Sequence, residues 1–390
     1  MSSETDSPML TIKAMNGAKD YATRHLACND YYSQHETVHG VWIGEGAKML
    51  GLQGLVQGHR FEAIREVKHP FTGEKLRPRS SEINLYDMCL SAPKPVSALG
   101  VIDSRLANCH RIAVTDTVKE IEYVAQAYVR IGGTTGSRNT SNLIIARFEH
   151  DTSRELDPQL HTHLVAANMT FDQVEQRWKC LNPQHIYNQC EYFTEFYRNS
   201  LAREIKACGY QIEPRMKAGK DNGFNIEGVP ESLIQKFSQR SAQRDEAIAE
   251  FRNENHREPT NKEIAKMVRD TRSYKLTEIS TAEVKAKQLA RITPYEMEVM
   301  KGLMAHSLEV KLTLQPKSYT PSVLTIKQAT EQIRQNRGYT AVPTLTRQML
   351  INLAKSNHKT QDNYMLPTSK SIVEEITHDI SQQRGHTFNY

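Results

Sequence analysis

Residues 142–170 read NLIIARFEHDTSRELDPQLHTHLVAANMT, and this stretch decides how the centre of the chain folds. Two short apolar runs, residues 142–149 and 161–170, flank a polar segment of ten residues, 151–160. Apolar runs of this length, bounded by polar turn-forming residues, predict two buried β-strands. We expect the strands to pair in an antiparallel arrangement, with the polar segment as their connection.

Histidines lie at the ends of both predicted strands. His161 and His163 are two positions apart, so their imidazoles point to the same face of a strand. Antiparallel pairing would bring His150, at the end of the first strand, next to them. Three such nitrogens predict an open metal site that could polarise a substrate oxygen, although imidazole suits several metals. Ordinary core or surface histidines are the competing interpretation.

Three tyrosines lie within twelve residues near the N-terminus: Tyr21, Tyr31 and Tyr32. A phenolate attacks phosphorus and forms a covalent ester once a metal or a base activates it. Packing and hydrogen bonding are the competing roles. Asp87 lies on a further predicted strand, residues 84–90, and has three possible roles. It could act as a base toward a tyrosine, orient a metal-binding histidine through its free ring nitrogen, or serve as a turn aspartate.

Helices are predicted before and after the paired strands in the sequence. Residues 104–130 show apolar positions at three- and four-residue spacing, which indicates one amphipathic helix. Residues 191–208 predict a second helix, and Gly209 provides its stop signal. Ser280 followed by Glu283 predicts a capping box at the start of a later helix.

The composition excludes some classes of protein but does not identify one. The chain has 390 residues, enough for two or three domains, and 50 Lys and Arg against 45 Asp and Glu give a net charge of +5. This balance permits nucleic-acid binding but excludes an acidic tail protein and a densely basic DNA coat. No apolar run approaches the length of a membrane span, and no signal peptide is evident. The six cysteines form no Cys-x-x-Cys pair, so we expect reduced thiols in the cytoplasm.

Three ordered segments resemble one protein family. Residues 150–163 are similar to the histidine-triad motif of conjugative relaxases of the TrwC/TraI type, the MobF-like group of HUH endonucleases. Residues 87–97, DMCLSAPKPVS, are similar to the Asp-x-x-x-Ser-Ala-Pro-Lys-Ser-Val-Ser motif of that family. Residues 42–54, WIGEGAKMLGLQG, match a third motif. The likeness covers roughly residues 9–285.

The resemblance implies an α+β fold. Its centre would be an antiparallel sheet, the HUH relaxase palm, flanked by helices and followed by a mainly helical C-terminal extension. We accordingly expect a disordered N-terminal extension at residues 1–8 and a relaxase domain at residues 9–288. Residues 289–390 would form a mainly helical region of unknown role.

The resemblance also implies a reaction. Tyr21 would attack the scissile phosphate of one strand at a plasmid transfer origin, with Asp87 as the base. The products would be a 5′-phosphotyrosine and a free 3′-hydroxyl, and the phosphotyrosine would conserve the bond energy needed to rejoin strands. Tyr31 or Tyr32 would serve a second transesterification. A divalent ion, most simply Mg²⁺ or Mn²⁺, would withdraw charge from the phosphate and would be held by three ligands: His150, His161 and His163.

Partners follow from the same resemblance. They would be single-stranded DNA with a hairpin at the transfer origin, accessory relaxosome proteins and a type IV secretion coupling protein. The sequence contains no G-x-x-x-x-G-K-[ST] phosphate loop, so we expect a separate helicase and no helicase activity in this chain. The expected location is the bacterial cytoplasm, without membrane insertion, and with possible transfer to a recipient cell alongside the DNA.

Two alternative functions remain at this point. A rolling-circle replication initiator would use the same chemistry at a replication origin. A catalytically decayed origin-binding regulator would fit the departures from the family pattern. Pro95 replaces the usual Ser, residues 88–90 replace the usual Leu-Thr-Phe, and Ala22 follows Tyr21 where a Tyr-Tyr pair is common.

Overall fold

The computed structural model describes seven stretches of the chain: residues 9–16, 40–78, 81–217, 220–270, 279–311, 317–318 and 364–365. The three candidate nucleophiles Tyr21, Tyr31 and Tyr32 lie outside the described residues. The N-terminal extension 1–8 and much of the expected C-terminal region lie outside them as well.

The described chain contains both strands and helices. The strands are β1 (Leu10–Asn16), β2 (Val41–Ile43), β3 (Ile83–Ser91), β4 (Gln126–Ile131), β5 (Thr134–Asn139), β6 (Ile145–Thr152), β7 (Pro158–Ala167), β8 (Thr170–Asp172), β9 (Arg177–Lys179), β10 (Leu181–Asn182), β11 (Ile212–Lys217), β12 (Lys220–Ile226), β13 (Lys317–Ser318) and β14 (Tyr364–Met365). The helices are α1 (Glu45–Met49), α2 (Gly58–Arg65), α3 (Lys94–Leu99), α4 (Arg105–Tyr123), α5 (Gln184–Tyr187), α6 (Cys190–Ala207), α7 (Glu231–Lys236), α8 (Gln239–Asn255), α9 (Asn261–Asp270), α10 (Thr281–Ala290) and α11 (Pro294–Lys311).

A five-stranded sheet forms the centre of the described structure. Its strand order is β1-β3-β7-β6-β2, and each neighbouring pair is antiparallel. The predicted α+β class with a central antiparallel sheet flanked by helices is therefore confirmed. The remaining described strands form a three-stranded sheet, β10-β4-β5, and two-stranded pairs.

The two faces of the sheet carry different layers, as the alternation of side chains along a strand requires. On one face Leu160, Leu164 and Ala166 of β7 join the main core, which includes apolar residues of α4 and α6. On the other face Val165 and Ala167 join a smaller core with Trp42 and α2 residues such as Phe61. The smaller core covers only part of that face, and the histidines lie beyond it, toward the β6–β7 connection.

The predicted helix at residues 104–130 is wrong at its C-terminal end. Helix α4 ends at Tyr123, and the next residues form strand β4. Ala127 and Val129 are buried whereas Tyr128 is 44% exposed, which is the two-residue alternation of a strand. The apolar positions at the end of the run also fitted a helical spacing, because a short run is compatible with both periods.

Two glycines of the WIGEG segment pack against the start of β6. Gly44 has φ of 97°, and a Cβ added there would lie 2.4 Å from the backbone oxygen of Leu143. A Cβ on Gly46 would lie 2.8 Å from the same oxygen. The carboxylate of Glu122 accepts hydrogen bonds from the backbone N–H groups of Glu45 and Leu143, at 2.7 and 2.8 Å. Only glycine permits this close approach of the two backbones.

The last described helices pack on the same core. The capping box predicted at Ser280 and Glu283 is present at the start of α10. Ile292 and Met300, which follow α10, are buried in the main core. The expected domain boundary between residues 288 and 289 stays a prediction. No helix in the described stretches is both long enough and apolar enough to cross a membrane.

Candidate metal centre

The three predicted metal ligands lie together on the sheet face opposite α4 and α6. His150 of β6 is the direct register partner of His161 on β7, and His163 follows on the same face. The ring centroids are 5.0 Å apart for His150 and His161, 5.5 Å for His150 and His163, and 5.4 Å for His161 and His163. The strand pairing expected from the sequence therefore brings all three imidazoles into one cluster.

The spacing of the rings fits one shared ion. Imidazoles whose nitrogens each lie about 2.1 Å from a tetrahedral ion have ring centroids roughly 5 Å apart. Among the described residues, no group of three or more His, Cys, Asp or Glu side chains already has the full geometry of a metal site. The centroid distances nevertheless place the three rings close enough to share one ion, once the rings rotate to direct their nitrogens to one point.

Asp87 of β3 supports one of these rings. Its Oδ1 and Oδ2 atoms lie 2.8 and 3.1 Å from Nδ1 of His163. Nδ1–H donating to the carboxylate leaves Nε2 of His163 as the atom that can bind a metal. Three roles were considered for Asp87. The position of its carboxylate fits the role of orienting a histidine that binds a metal. Its role as a base toward Tyr21 stays a prediction, because Tyr21 lies outside the described residues.

A backbone oxygen orients the second ring in the same way. Nδ1 of His161 lies 2.9 Å from the carbonyl oxygen of Gln159 and donates to it when that nitrogen carries the proton. Burial, together with the nearby charge of His163, lowers the pKa of His161 to about 4. At neutral pH His161 is therefore an uncharged imidazole, which is the form that binds metals.

The departures from the family pattern that fall within the described residues, 88–90 and Pro95, are accommodated in the structure. Cys89 is the register partner of His163, and burial raises the pKa of its thiol to about 12, so that the thiol is neutral. Met88 and Leu90 point to the other face and are buried in the main core. Pro95 lies in the first turn of α3, where a missing N–H breaks no helical hydrogen bond.

A buried polar network holds β7 from the opposite face, and sequence reasoning missed it. Thr162, between the two histidines of β7, bonds through its hydroxyl to Nε2 of His110 at 2.8 Å. Nδ1 of His110 bonds to the hydroxyl of Tyr197 at 2.7 Å. All three side chains are buried, and burial lowers the pKa of His110 to about 3, so this ring is neutral. A histidine inside the apolar face of a predicted helix was the only available signal.

The chain is similar in sequence to proteins of known name. The multifunctional conjugation protein TraI of Escherichia coli K12 is 35% identical over an alignment of 223 residues, and the match covers 54% of this chain and 12% of that protein. A second Escherichia coli TraI is 33% identical over an alignment of 253 residues, and the match covers 61% of this chain and 14% of that protein. This chain therefore spans only a small part of the length of these relatives.

Solved structures of TrwC are similar in fold. A complex of TrwC with a 27-mer DNA comprising the recognition hairpin and the cleavage site gives a TM-score of 0.61 at 29% identity, over 74% of this chain and 98% of that chain. A metal-bound complex of the conjugative relaxase TrwC with OriT DNA gives 0.63 at 29% identity, with the same coverage. The TrwC relaxase family model matches residues 15–294. This match covers well over half of the 390 residues, so the chain belongs to the TrwC relaxase family.

Proposed function

We propose that this chain is a site- and strand-specific DNA relaxase that nicks one strand at a plasmid transfer origin and later rejoins it. The observation that carries the proposal is the cluster of three histidine rings with Asp87 bonded to His163, on the sheet of a TrwC relaxase family member. The complexes of TrwC with OriT DNA support the choice of a transfer origin as the substrate. A replication origin is the alternative substrate.

We infer that Tyr21 is the nucleophile of the first step. Its phenolate oxygen would form a bond to the scissile phosphorus as the bond from phosphorus to the 3′-oxygen breaks. Asp87 would take the phenolic proton, and the departing 3′-oxygen would take up a proton from water and end as a hydroxyl. The strand would then be held as a 5′-phosphotyrosine. Tyr31 or Tyr32 would carry out the second transesterification, and the reverse of the same exchange would rejoin the strand.

We propose His150, His161 and His163 as ligands of a divalent ion. When bound, such an ion withdraws negative charge from the non-bridging oxygens of the scissile phosphate. Asp87 and the carbonyl oxygen of Gln159 would keep two of the rings in the orientation that presents Nε2. Mg²⁺ or Mn²⁺ is our expectation. The metal-bound and copper-bound structures of TrwC support a divalent ion without identifying the physiological one.

The wider setting of the proposed activity follows from the family. Residues 9–288 would form the nicking unit, and residues 289–390 a mainly helical region whose role is open. The protein would act in the bacterial cytoplasm with accessory relaxosome proteins, a separate helicase and a type IV secretion coupling protein. The DNA substrate would combine a hairpin with an adjacent single strand.

The decisive experiment is a covalent adduct assay. A labelled single-stranded oligonucleotide that carries a hairpin and flanking sequence from the DNA next to the coding region is incubated with the protein and Mg²⁺ or Mn²⁺. We expect a band of protein-linked DNA that is lost with EDTA, with Tyr21→Phe and with His161→Ala. The absence of any adduct with the unaltered chain, despite tight binding of the same DNA, would favour an origin-binding regulator instead.

A further inference from the structure

Residues 153–157, here called the β6–β7 loop, connect the two strands that carry the histidines. His150 and His161 face each other across these strands, and the pairing shifts register between His150 and Thr152. The β6–β7 loop begins directly after this irregularity. Only the pair of Thr152 and Pro158 lies between the two histidines and the loop, so the loop is the connection that adjoins the pair of His150 and His161.

The loop ends at a buried carboxylate. The side chain of Asp157 is 1% exposed, and three N–H groups from distant parts of the chain surround it. The backbone N–H and the Nε2 of Gln239 lie 3.0 and 3.2 Å from its oxygens, and Nη1 of Arg291 lies 2.9 Å away. A carboxylate is stable in such a place only when donors of this kind compensate for its lost hydration.

Arg291 and Gln288 of α10 make further contacts around the β6–β7 loop. Nη2 of Arg291 donates to the carbonyl oxygen of Lys236 at 2.5 Å, and the guanidinium lies 4.8 Å from the ring centroid of Phe237. Nε2 of Gln288 donates to the hydroxyl of Thr152 and to the carbonyl oxygen of Leu156, both at 3.1 Å. Both ends of the β6–β7 loop are thus held by residues more than eighty positions away in the sequence.

We propose that Asp157 and Arg291 are positioning residues for the metal centre, because their ion pair fixes the β6–β7 loop and thereby keeps His150 opposite His161. The inference rests on the proposed function only in taking the histidines as metal ligands. Neither residue is one of the three proposed ligands of the ion. The effect of replacing them should therefore appear first in metal affinity and only through it in the nicking rate.

The test uses the full chain and compares Mn²⁺ binding with stability. Arg291→Gln should weaken Mn²⁺ binding, measured by titration calorimetry without DNA, by about tenfold, the lower end of the effect of residues that orient metal ligands. Arg291→Lys should restore part of the affinity, since it keeps the charge. The double variant Asp157→Asn with Arg291→Gln leaves no unpaired buried charge. It should regain thermal stability while Mn²⁺ binding stays weak.

The matched control is Arg198→Gln on α6. Arg198 forms a buried ion pair with Glu195 in the helical layer, at 2.5 Å, far from the β6–β7 loop in sequence. This variant should lower the thermal midpoint but leave the Mn²⁺ affinity of the folded protein unchanged. Wild-type Mn²⁺ affinity in folded Arg291→Gln and in the double variant would overturn the inference, as would an equal loss of affinity in Arg198→Gln. A chain that binds Mn²⁺ but forms no DNA adduct would instead refute the proposed function.

Discussion

Replacing Asp87 should weaken metal binding even though Asp87 is not itself a proposed ligand. Both of its oxygens lie within 3.1 Å of Nδ1 of His163, and both side chains are largely buried. A hydrogen bond to a charged group contributes about 1.5–3 kcal/mol and a neutral one about 0.5–1.5 kcal/mol. Asp87→Asn keeps an acceptor but loses the charge, so the expected loss is roughly 1–1.5 kcal/mol, or about tenfold in affinity. Asp87→Ala loses the whole contact and should cost about ten- to a hundredfold.

The assay separates the two roles proposed for Asp87. Mn²⁺ is titrated into the metal-free protein by calorimetry, and the rate of adduct formation is then measured at increasing Mn²⁺. If Asp87 only orients His163, the rate of Asp87→Asn recovers at saturating Mn²⁺. If Asp87 is also the base toward Tyr21, the rate stays low at saturation, because no amount of metal replaces the proton acceptor.

The control for this experiment is Asp116→Asn. Asp116 is a carboxylate on α4 that bonds to Ser200 and Arg203 at 2.9 Å, away from the histidines. It should leave both Mn²⁺ affinity and adduct rate unchanged. Folded Asp87→Asn and Asp87→Ala proteins that bind Mn²⁺ as tightly as the unaltered chain would refute the reasoning, because the contact to His163 would then do nothing for the metal.

Further measurements address stability. Gly44→Ala should lower the free energy of unfolding in urea by more than about 2 kcal/mol, since φ is 97° and the new Cβ would meet a backbone oxygen at 2.4 Å. Gly132→Ala, with φ of 58° and open space around it, should cost only about 1 kcal/mol. Burial alone would raise the pKa of Asp172, but hydrogen bonds from a guanidinium and an ammonium group outweigh it and lower this pKa to about 2. Asp172 therefore stabilises the fold above its unfolded pKa near 4, and this contribution is lost as pH falls toward 2. Asp172→Asn should reduce the difference between urea midpoints at pH 5 and pH 3. Tyr197→Phe should cost about 1–3 kcal/mol in the same assay, because a buried nitrogen of His110 loses its partner.

The histidine cluster was predictable because it depends on short-range rules. The two-residue period of a strand places His161 and His163 on one face, and antiparallel pairing with a short loop places His150 beside them. Both expectations are confirmed in the structure. To predict the contact of Asp87 with His163, one would also have to know the register between β3 and β7. No local sequence pattern contains that register.

Long-range contacts were beyond the reach of sequence patterns. The ion pair of Asp157 and Arg291 joins residues 134 positions apart, and no sequence pattern links the two residues. The overlong helix predicted at residues 104–130 failed for a different reason. Tertiary pairing of Tyr128 with the backbone oxygen of Cys180 selects a strand where helical spacing was equally possible.

The tripeptide His161-Thr162-His163 makes side-chain contacts on both faces of the sheet. The number of residues in this part of β7 therefore matters. A shift of β7 by one residue would turn Thr162 toward the metal centre and both histidines into the helical core. Substitutions that keep the alternation leave this arrangement in place, whereas a single inserted or deleted residue between Asp157 and His163 reverses it. The turn at Gly132 and Gly133 presents the opposite case, because added atoms there meet nothing within 4 Å. We therefore expect natural insertions and deletions to be tolerated at that turn, and it is the place where an experimenter should insert a peptide tag.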